Sequence, residues 1–390
     1  MSAETLSERD RLRSLAAVIA CISVVGVTMG LAYPLLSLIM EARGTPRTVI
    51  GLSSAMPAIA MLIFSPQIPR IVSVIGLKAF ILGCIGTEAA MFAALKIVDD
   101  VYGWFPIRFV MGASAAGLFI ASETWINQIA REETRARLMA IYSITLSAGV
   151  ASGPIIVGLT GIDGWLPFLI GVGFVLAAAI PLAWTGRLAP ALEGRASFGV
   201  FSFVRVAPSL AAAVLLFAAI ESTTGALLPV YGARSGLSLA PAAAMMTVVL
   251  LGSMAFQLPI GWLADRFDRY MVLAWLGALS AGGGALLPAV VDHGLLLWAV
   301  LFLWGGVAAG IYTVALAIQG QRFRGAELIT ANAAFGVLWG FGSIAGPAAG
   351  GIAMDLWDPH GLAVVLTAAC AGFVAILGWR RRARAVARGA

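Results

Sequence analysis

The chain has 390 residues, of which 61% are hydrophobic and 11% charged, and its net charge is +6. Apolar stretches of about 20 residues or more follow one another with short polar breaks, which excludes a soluble enzyme and predicts a bundle of membrane-crossing helices. Three isolated cysteines (Cys21, Cys84, Cys370) and two histidines (His293, His360) supply almost nothing for a metal site or a histidine-based nucleophilic triad, so neither is expected, and no cofactor.

Twelve helices are predicted, near 14–41, 48–72, 77–97, 101–128, 137–160, 164–185, 209–233, 239–264, 270–291, 294–319, 327–354 and 360–379. The first follows Arg9, Arg11 and Arg13, is too long for the core of a cleavable signal, and is expected to remain in the protein. It carries Thr28 and the flexible run Gly30, Tyr33, Pro34. The break after the second helix contains Pro69, Arg70, Ser73 and Gly76, with no acidic residue.

Charged residues inside apolar spans are the most telling, because each costs about 2.5–3.5 kcal/mol at mid-helix even on insertion scales. The third helix holds Glu88, and the fourth holds Arg108 at a similar depth, so a Glu88–Arg108 ion pair is expected. The fourth also contains Gly112, Ser114 and Gly117, then Glu123, Trp125 and Asn127 near its end. Glu123 and Asn127 read either as part of a gate or as an end anchor neutralised by Arg131, Arg135 and Arg137.

The fifth helix is marked by Gly149, Gly153, Pro154 and Gly158. Residues 186–208, with Pro190, Gly194 and Pro208 among charged residues, form the expected linker between a first half (1–185) and a second (209–390). The stretch around Phe198–Val206 reads either as a membrane-surface helix or as a plain tether.

In the seventh helix Glu221 stands near the membrane centre, followed by Ser222, Thr223, Thr224, Gly225 and Pro229. A carboxylate at that depth without a fixed cation is costly in its charged form, which suits it to carrying a proton. The alternative is a neutral Glu donating a hydrogen bond between packed helices. The eighth helix contains Gln257 and leads into Gly261, Asp265, Arg266 and Arg269. The tenth contributes Trp304 and Tyr312, the eleventh Gly342, Gly346, Pro347 and Gly351, and the chain ends in a basic run from Arg380.

The two halves repeat. Gly149, Gly153, Pro154 and Gly158 recur 193 residues later as Gly342, Gly346, Pro347 and Gly351, and the same shift carries Gly112 onto Gly305 and Gly117 onto Gly310. Six helices per half make the repeats parallel, an arrangement that places a transporter's substrate site between halves that rock about it. Lipid gives helices no hydrophobic reason to associate, so clustered Gly and Pro mark close, bent contact seams. With the N-terminus inside, the inner segments hold 20 of the 25 basic residues and the outer loops only Arg43, Arg47, Lys96 and Arg234, so both termini are expected in the cytoplasm. The positive charge then reads as a topology anchor near anionic lipid, and no nucleic-acid partner is expected.

These residues resemble the major facilitator superfamily over the whole chain. Arg108, Gly112 and Gly117 are similar to its Arg-x-x-x-Gly motif. Gly261, Asp265, Arg266 and Arg269 are similar to its signature loop, whose first-half counterpart at Pro69–Gly76 lacks the acidic residue. Gly149, Gly153 and Pro154 resemble its proton-antiporter motif, although a packing role is favoured over a directly coupling one. Glu123–Asn127 with Thr134–Tyr142 resembles the YcaD-like branch of bacterial transporters. The resemblance implies an all-α fold of twelve transmembrane helices in two six-helix pseudo-repeats, with helices 1, 4, 7 and 10 around a cavity. Cavity candidates are then Thr28, Tyr33, Ser114, Gln257, Trp304 and Tyr312; Glu221 and Arg108 are the candidates for proton coupling; the signature loop is a candidate latch, or else an ordinary tight turn. The implied protein is a monomeric proton-coupled transporter of a small organic solute in a bacterial inner membrane. Export is slightly favoured over import of a nutrient or cofactor, and a non-transporting membrane sensor or assembly factor on the same fold is kept as the reading from another class. No ATP site is expected, since the chain has no P-loop pattern.

Overall fold

A computed structural model describes residues 8–129, 132–183, 200–323 and 326–389, and all regular structure among them is helical. In the first half the helices are α1 (Glu8–Ala42), α2 (Arg47–Phe64), α3 (Ile68–Ile75), α4 (Leu77–Ile97), α5 (Trp104–Ile129), α6 (Glu132–Thr160), α7 (Leu166–Ala177) and α8 (Ala179–Ala183). The second half continues with α9 (Val200–Val206), α10 (Pro208–Arg234), α11 (Leu239–Arg266), α12 (Arg269–Val290), α13 (Gly294–Arg322), α14 (Ala326–Leu356) and α15 (Gly361–Gly389). Eleven helices among the described residues are long and apolar enough to cross a membrane.

Two expected spans are interrupted, and proline accounts for both. A proline inside a helix lacks its N–H and its ring collides with the carbonyl four residues back. Pro181 points this clash at Ala177, where α7 stops, so the sixth span is the shorter, broken apolar segment Leu166–Leu182. Pro66 and Pro69 do the same to the second span, which passes through a single 3₁₀ turn at Ser65–Gln67 before α3. Gly76 then ends α3 with φ of 81°, a conformation that disfavours any residue with a Cβ.

The chain forms two compact units. One takes the first half of the chain apart from Glu41–Ala55; the other takes Glu41–Ala55 together with the second half. In the first unit α4 packs on α5 and α7. Here α6 lies so close to α1 that a Cβ on Gly149 or Gly153 would overlap the backbone of Gly26 or Gly30. In the second unit α10 packs on α14 and α11 on α13, with α12 against α13 and α15. Gly342 and Gly346 sit against α10 at Ala218–Ala219 and at Ala219 and Thr223. Because Ala219 and Thr223 are Gly26 and Gly30 shifted by the same 193 residues, the sequence repeat is also a repeat of helix contacts.

Glu41–Ala55 is held to the second unit by close packing and by charge. Gly51 meets the backbone of Pro347, and Gly351 that of Arg47. Asp355, at the end of α14, accepts hydrogen bonds from the backbone N–H of Arg47 and of Thr48, each at 2.8 Å, and so caps α2 from a distant part of the chain. Arg47 also pairs with Glu41 at 3.4 Å and Asp358 at 3.3 Å. Arg234 joins Glu41 at 3.5 Å and makes a close hydrogen-bonded ion pair with Asp358. That hydrogen bond holds the Asp358 carboxyl below its ordinary pKa.

Candidate functional site

In the first unit, α5 buries Arg108 to 2% exposure and lays its guanidinium over the Tyr33 ring of α1, 5.5 Å from the centroid. Glu88, on α4, is fully buried and neither of its carboxyl oxygens has a hydrogen-bond partner. The expected Glu88–Arg108 ion pair is therefore not formed. Equal depth in the membrane does not fix rotation about the helix axis, and Arg108 turns toward α1 instead.

Of the cavity candidates in this unit, Thr28 and Ser114 are buried, and the Ser114 hydroxyl donates to the carbonyl of Val110 at 3.1 Å. Tyr33 is half-buried. Glu123 is also half-buried; beside it Trp125 is wholly buried and Ser122 hydrogen-bonds Tyr142 at 3.0 Å. The side chains of Asn127, Arg131, Arg135 and Arg137 lie outside the described residues.

In the second unit α10 is buried continuously from Ser222 to Gly232, yet Glu221 is exposed. The neighbouring hydroxyls do not serve its carboxylate: Thr224 donates to the Ile220 carbonyl at 2.8 Å. Among the described residues no hydrogen bond or ion pair engages the Glu221 side chain. One turn before Glu221, Phe217 stacks on Tyr312 of α13 with centroids 5.2 Å apart and 17° between planes. Trp339 of α14 stands edge-on to both, at 5.3 Å and 5.1 Å. The sequence reading missed Phe217 and Trp339; for Phe217 the four-residue spacing to Glu221 was the available signal.

Trp304 is buried against Gly283 and donates its indole N–H to the Ser280 carbonyl of α12 at 2.9 Å, so its ring packs α13 on α12. Gln257 is exposed on α11. The start of the linker lies outside the described residues, but α9 packs onto the unit: Phe203 contacts Phe323 and Phe335, and Arg322 donates to the Val206 carbonyl at 2.8 Å.

The signature loop after α11 is tied down by Arg269. Its guanidinium donates to the carbonyls of Ala264 at 3.1 Å and Ala317 at 2.9 Å, and to Asp265 at 2.9 Å, so one side chain joins α11, α12 and α13. Asp268 caps α12 by accepting from Met271 N–H at 2.8 Å. Arg266 lies over Trp262, 4.1 Å from the ring centroid. Gly261, half-buried, leaves open space on its Cβ side. Among the described residues no group of three or more His, Cys, Asp or Glu side chains could hold a metal ion.

The chain resembles known proteins over nearly its whole length. It is 24% identical over 357 residues to the MFS-type transporter YfkF of Bacillus subtilis, covering 89% of this chain and 90% of that one. It is 25% identical over 306 residues to the MFS-type transporter YcaD of Escherichia coli, covering 76% of each. Among solved structures, a bacterial homolog of the human lysosomal transporter Spinster, in an inward-facing and unoccupied conformation, superposes with a TM-score of 0.78 at 16% identity, covering 95% of this chain and 96% of that one. The nucleoside transporter NupG does so with a TM-score of 0.71 at 14% identity, covering 97% and 99%. These likenesses carry the fold. The family description "Major Facilitator Superfamily" matches residues 18–249 and 210–389, and the chain, a multi-pass helical membrane protein, belongs to that superfamily of transporters.

Proposed function

We propose that this protein is a proton-coupled secondary transporter, not an enzyme, that moves a small organic or amphipathic solute by alternating access, with Glu221 as the coupling carboxylate. The observation that carries this reading is the placement of Glu221: an exposed acid whose carboxylate no described residue engages, in the middle of a helix whose following 11 residues, Ser222–Gly232, are buried. Such a group can exchange a proton with an open cavity and lose it when the cavity opens to the other side. The moving bodies are the halves 1–185 and 209–390, joined by 186–208. Arg108, held under Tyr33, supports the coupling as a fixed positive charge in the first half. The glycine seam of α6 on α1, which resembles the antiporter motif, favours export. The protein works as a monomer in a bacterial inner membrane with both termini in the cytoplasm.

The test is transport in proteoliposomes with and without an imposed pH gradient. Glu221→Gln keeps the shape and hydrogen bonding of the protonated acid, so it should preserve folding, and exchange at saturating substrate, but abolish gradient-driven accumulation. A Gln variant that still concentrates substrate in response to the gradient would refute the assignment.

A further inference from the structure

The exposed acid and the ring cluster beside it have one property in common: both favour positive charge. Phe217 lies four residues before Glu221 on α10, hence one turn away on the same face, with its ring about 6 Å along the axis from the carboxylate's turn. Phe217, Tyr312 and Trp339 are all half-buried, so each still presents surface. Their mutual geometry is one stacked and two edge-on contacts, so a cluster of electron-rich rings stands one helical turn from the position of the carboxylate on α10. Tyr312 also contacts Phe335, and Phe335 the buried Phe203, so the rings are braced by further aromatic packing.

The chemistry narrows the occupant. A bare metal cation demands several oxygen ligands, and among the described residues no acidic cluster supplies them. An anion would meet both a carboxylate and electron-rich ring faces. A neutral apolar solute would leave the carboxylate's charge unused and desolvated. What fits both features is a cation whose charge is carried on, or delocalised over, an apolar and preferably aromatic body.

We propose that Glu221 with Phe217, Tyr312 and Trp339 forms a recognition site for organic cations on the wall of the second unit. The proposal rests on the reading of Glu221 as a transport residue and specifies the solute class it serves. Glu221 supplies the counter-charge, and the rings supply apolar area and cation–π attraction. Arg108, the buried cation of the first unit, is 2% exposed, so its charge is withheld from open space.

The experiment is equilibrium binding of radiolabelled tetraphenylphosphonium to the purified full chain in detergent, at one pH and without a membrane gradient. Triphenylphosphine oxide, which carries three of the same rings and no net charge, serves as competitor. Binding should be saturable and little affected by an equal concentration of the oxide. Glu221→Gln should weaken it about tenfold, and Trp339→Leu and Phe217→Leu about threefold each. Glu221→Asp should restore most of the affinity lost in the Gln variant, and Trp275→Leu, at an exposed indole on α12, should change nothing. Thermal unfolding of each variant checks that it is folded; should Glu221→Gln fail to fold, the Asp variant and the two ring variants decide. Competition by the neutral oxide as strong as by unlabelled tetraphenylphosphonium, non-saturable uptake, or wild-type affinity in folded Glu221→Gln or in both ring variants would overturn the proposal. The transport reading fails separately: a Gln variant that loses gradient-driven transport but binds tetraphenylphosphonium normally refutes only the cation site, and one that loses binding while accumulation still follows the gradient refutes only the coupling role.

Discussion

Asp355→Ala removes the acceptor for the first two N–H groups of α2 and leaves them without a partner from their own turn. An N-cap is typically worth about 1 kcal/mol and up to about 2, and a charged acceptor bonded to two amides at 2.8 Å lies at the upper end. The ion pair with Arg47, at 3.7 Å and with the Asp355 side chain 27% exposed, adds well under 1 kcal/mol. Arg47 keeps Glu41 and Asp358 as partners, so no buried charge is orphaned. The expected loss is therefore about 2 kcal/mol, concentrated at the start of α2, which corresponds to ~30-fold faster amide exchange through local opening. Hydrogen–deuterium exchange mass spectrometry of the peptide spanning Arg47–Gly51 reads this directly. Asp355→Asn, which keeps one acceptor, should fall between. Asp358→Ala, which removes guanidinium contacts but no cap, should leave the peptide near wild type. Unchanged exchange in Asp355→Ala, or an equal effect from Asp358→Ala, would show that the cap does not hold this segment.

Gly153→Val and Gly346→Leu should each prevent correct assembly, because the new Cβ overlaps backbone at Gly30 and Ala219, whereas Gly336→Ala, with nothing within 4 Å, should give a normal size-exclusion profile. Glu88→Met should raise the melting temperature by a few degrees, since an unpartnered buried carboxyl gives way to an apolar side chain of similar size; a drop in melting temperature would reveal a partner. Arg269→Lys should recover little of the stability lost in Arg269→Ala, because a single ammonium cannot reach Ala264, Ala317 and Asp265 together. Asp358 has a depressed pKa when folded, so its contribution is complete above the ordinary aspartate value of about 3.9 and is lost as pH falls below it. Melting curves should accordingly show an acid-induced decline that is shallower in Asp358→Asn. Single cysteines at His293 and Arg324, in a background without the native three, should label from outside and inside respectively; labelling from one face would refute the twelve-helix topology.

Reading the chain in one dimension worked where the controlling physics is itself one-dimensional. A run of apolar residues long enough to cross hydrocarbon is a span wherever it ends up, so the helices and the superfamily's architecture were legible. The glycine clusters were legible as contact seams because close backbone approach in lipid requires small residues, and Gly149 and Gly153 do meet Gly26 and Gly30. Glu221 stood out because an acid at that depth is costly.

What the sequence could not decide was how each helix turns about its own axis and which distant segment it meets. In a soluble protein the polar face announces the outside, but here lipid and helix neighbours are equally apolar, so Trp304 and Tyr312 looked alike on one helix although the first packs against α12 and the second joins the rings near Glu221. Glu88 and Arg108 shared a depth but not a face. That Asp355 caps α2, 307 residues earlier at Thr48, depends on a meeting no local pattern encodes. The membrane class, the spans and the repeat follow from the chain itself, because length, polarity and residue size act locally; the partners emerge in the folded molecule, because partnership depends on rotation and on contacts across hundreds of residues.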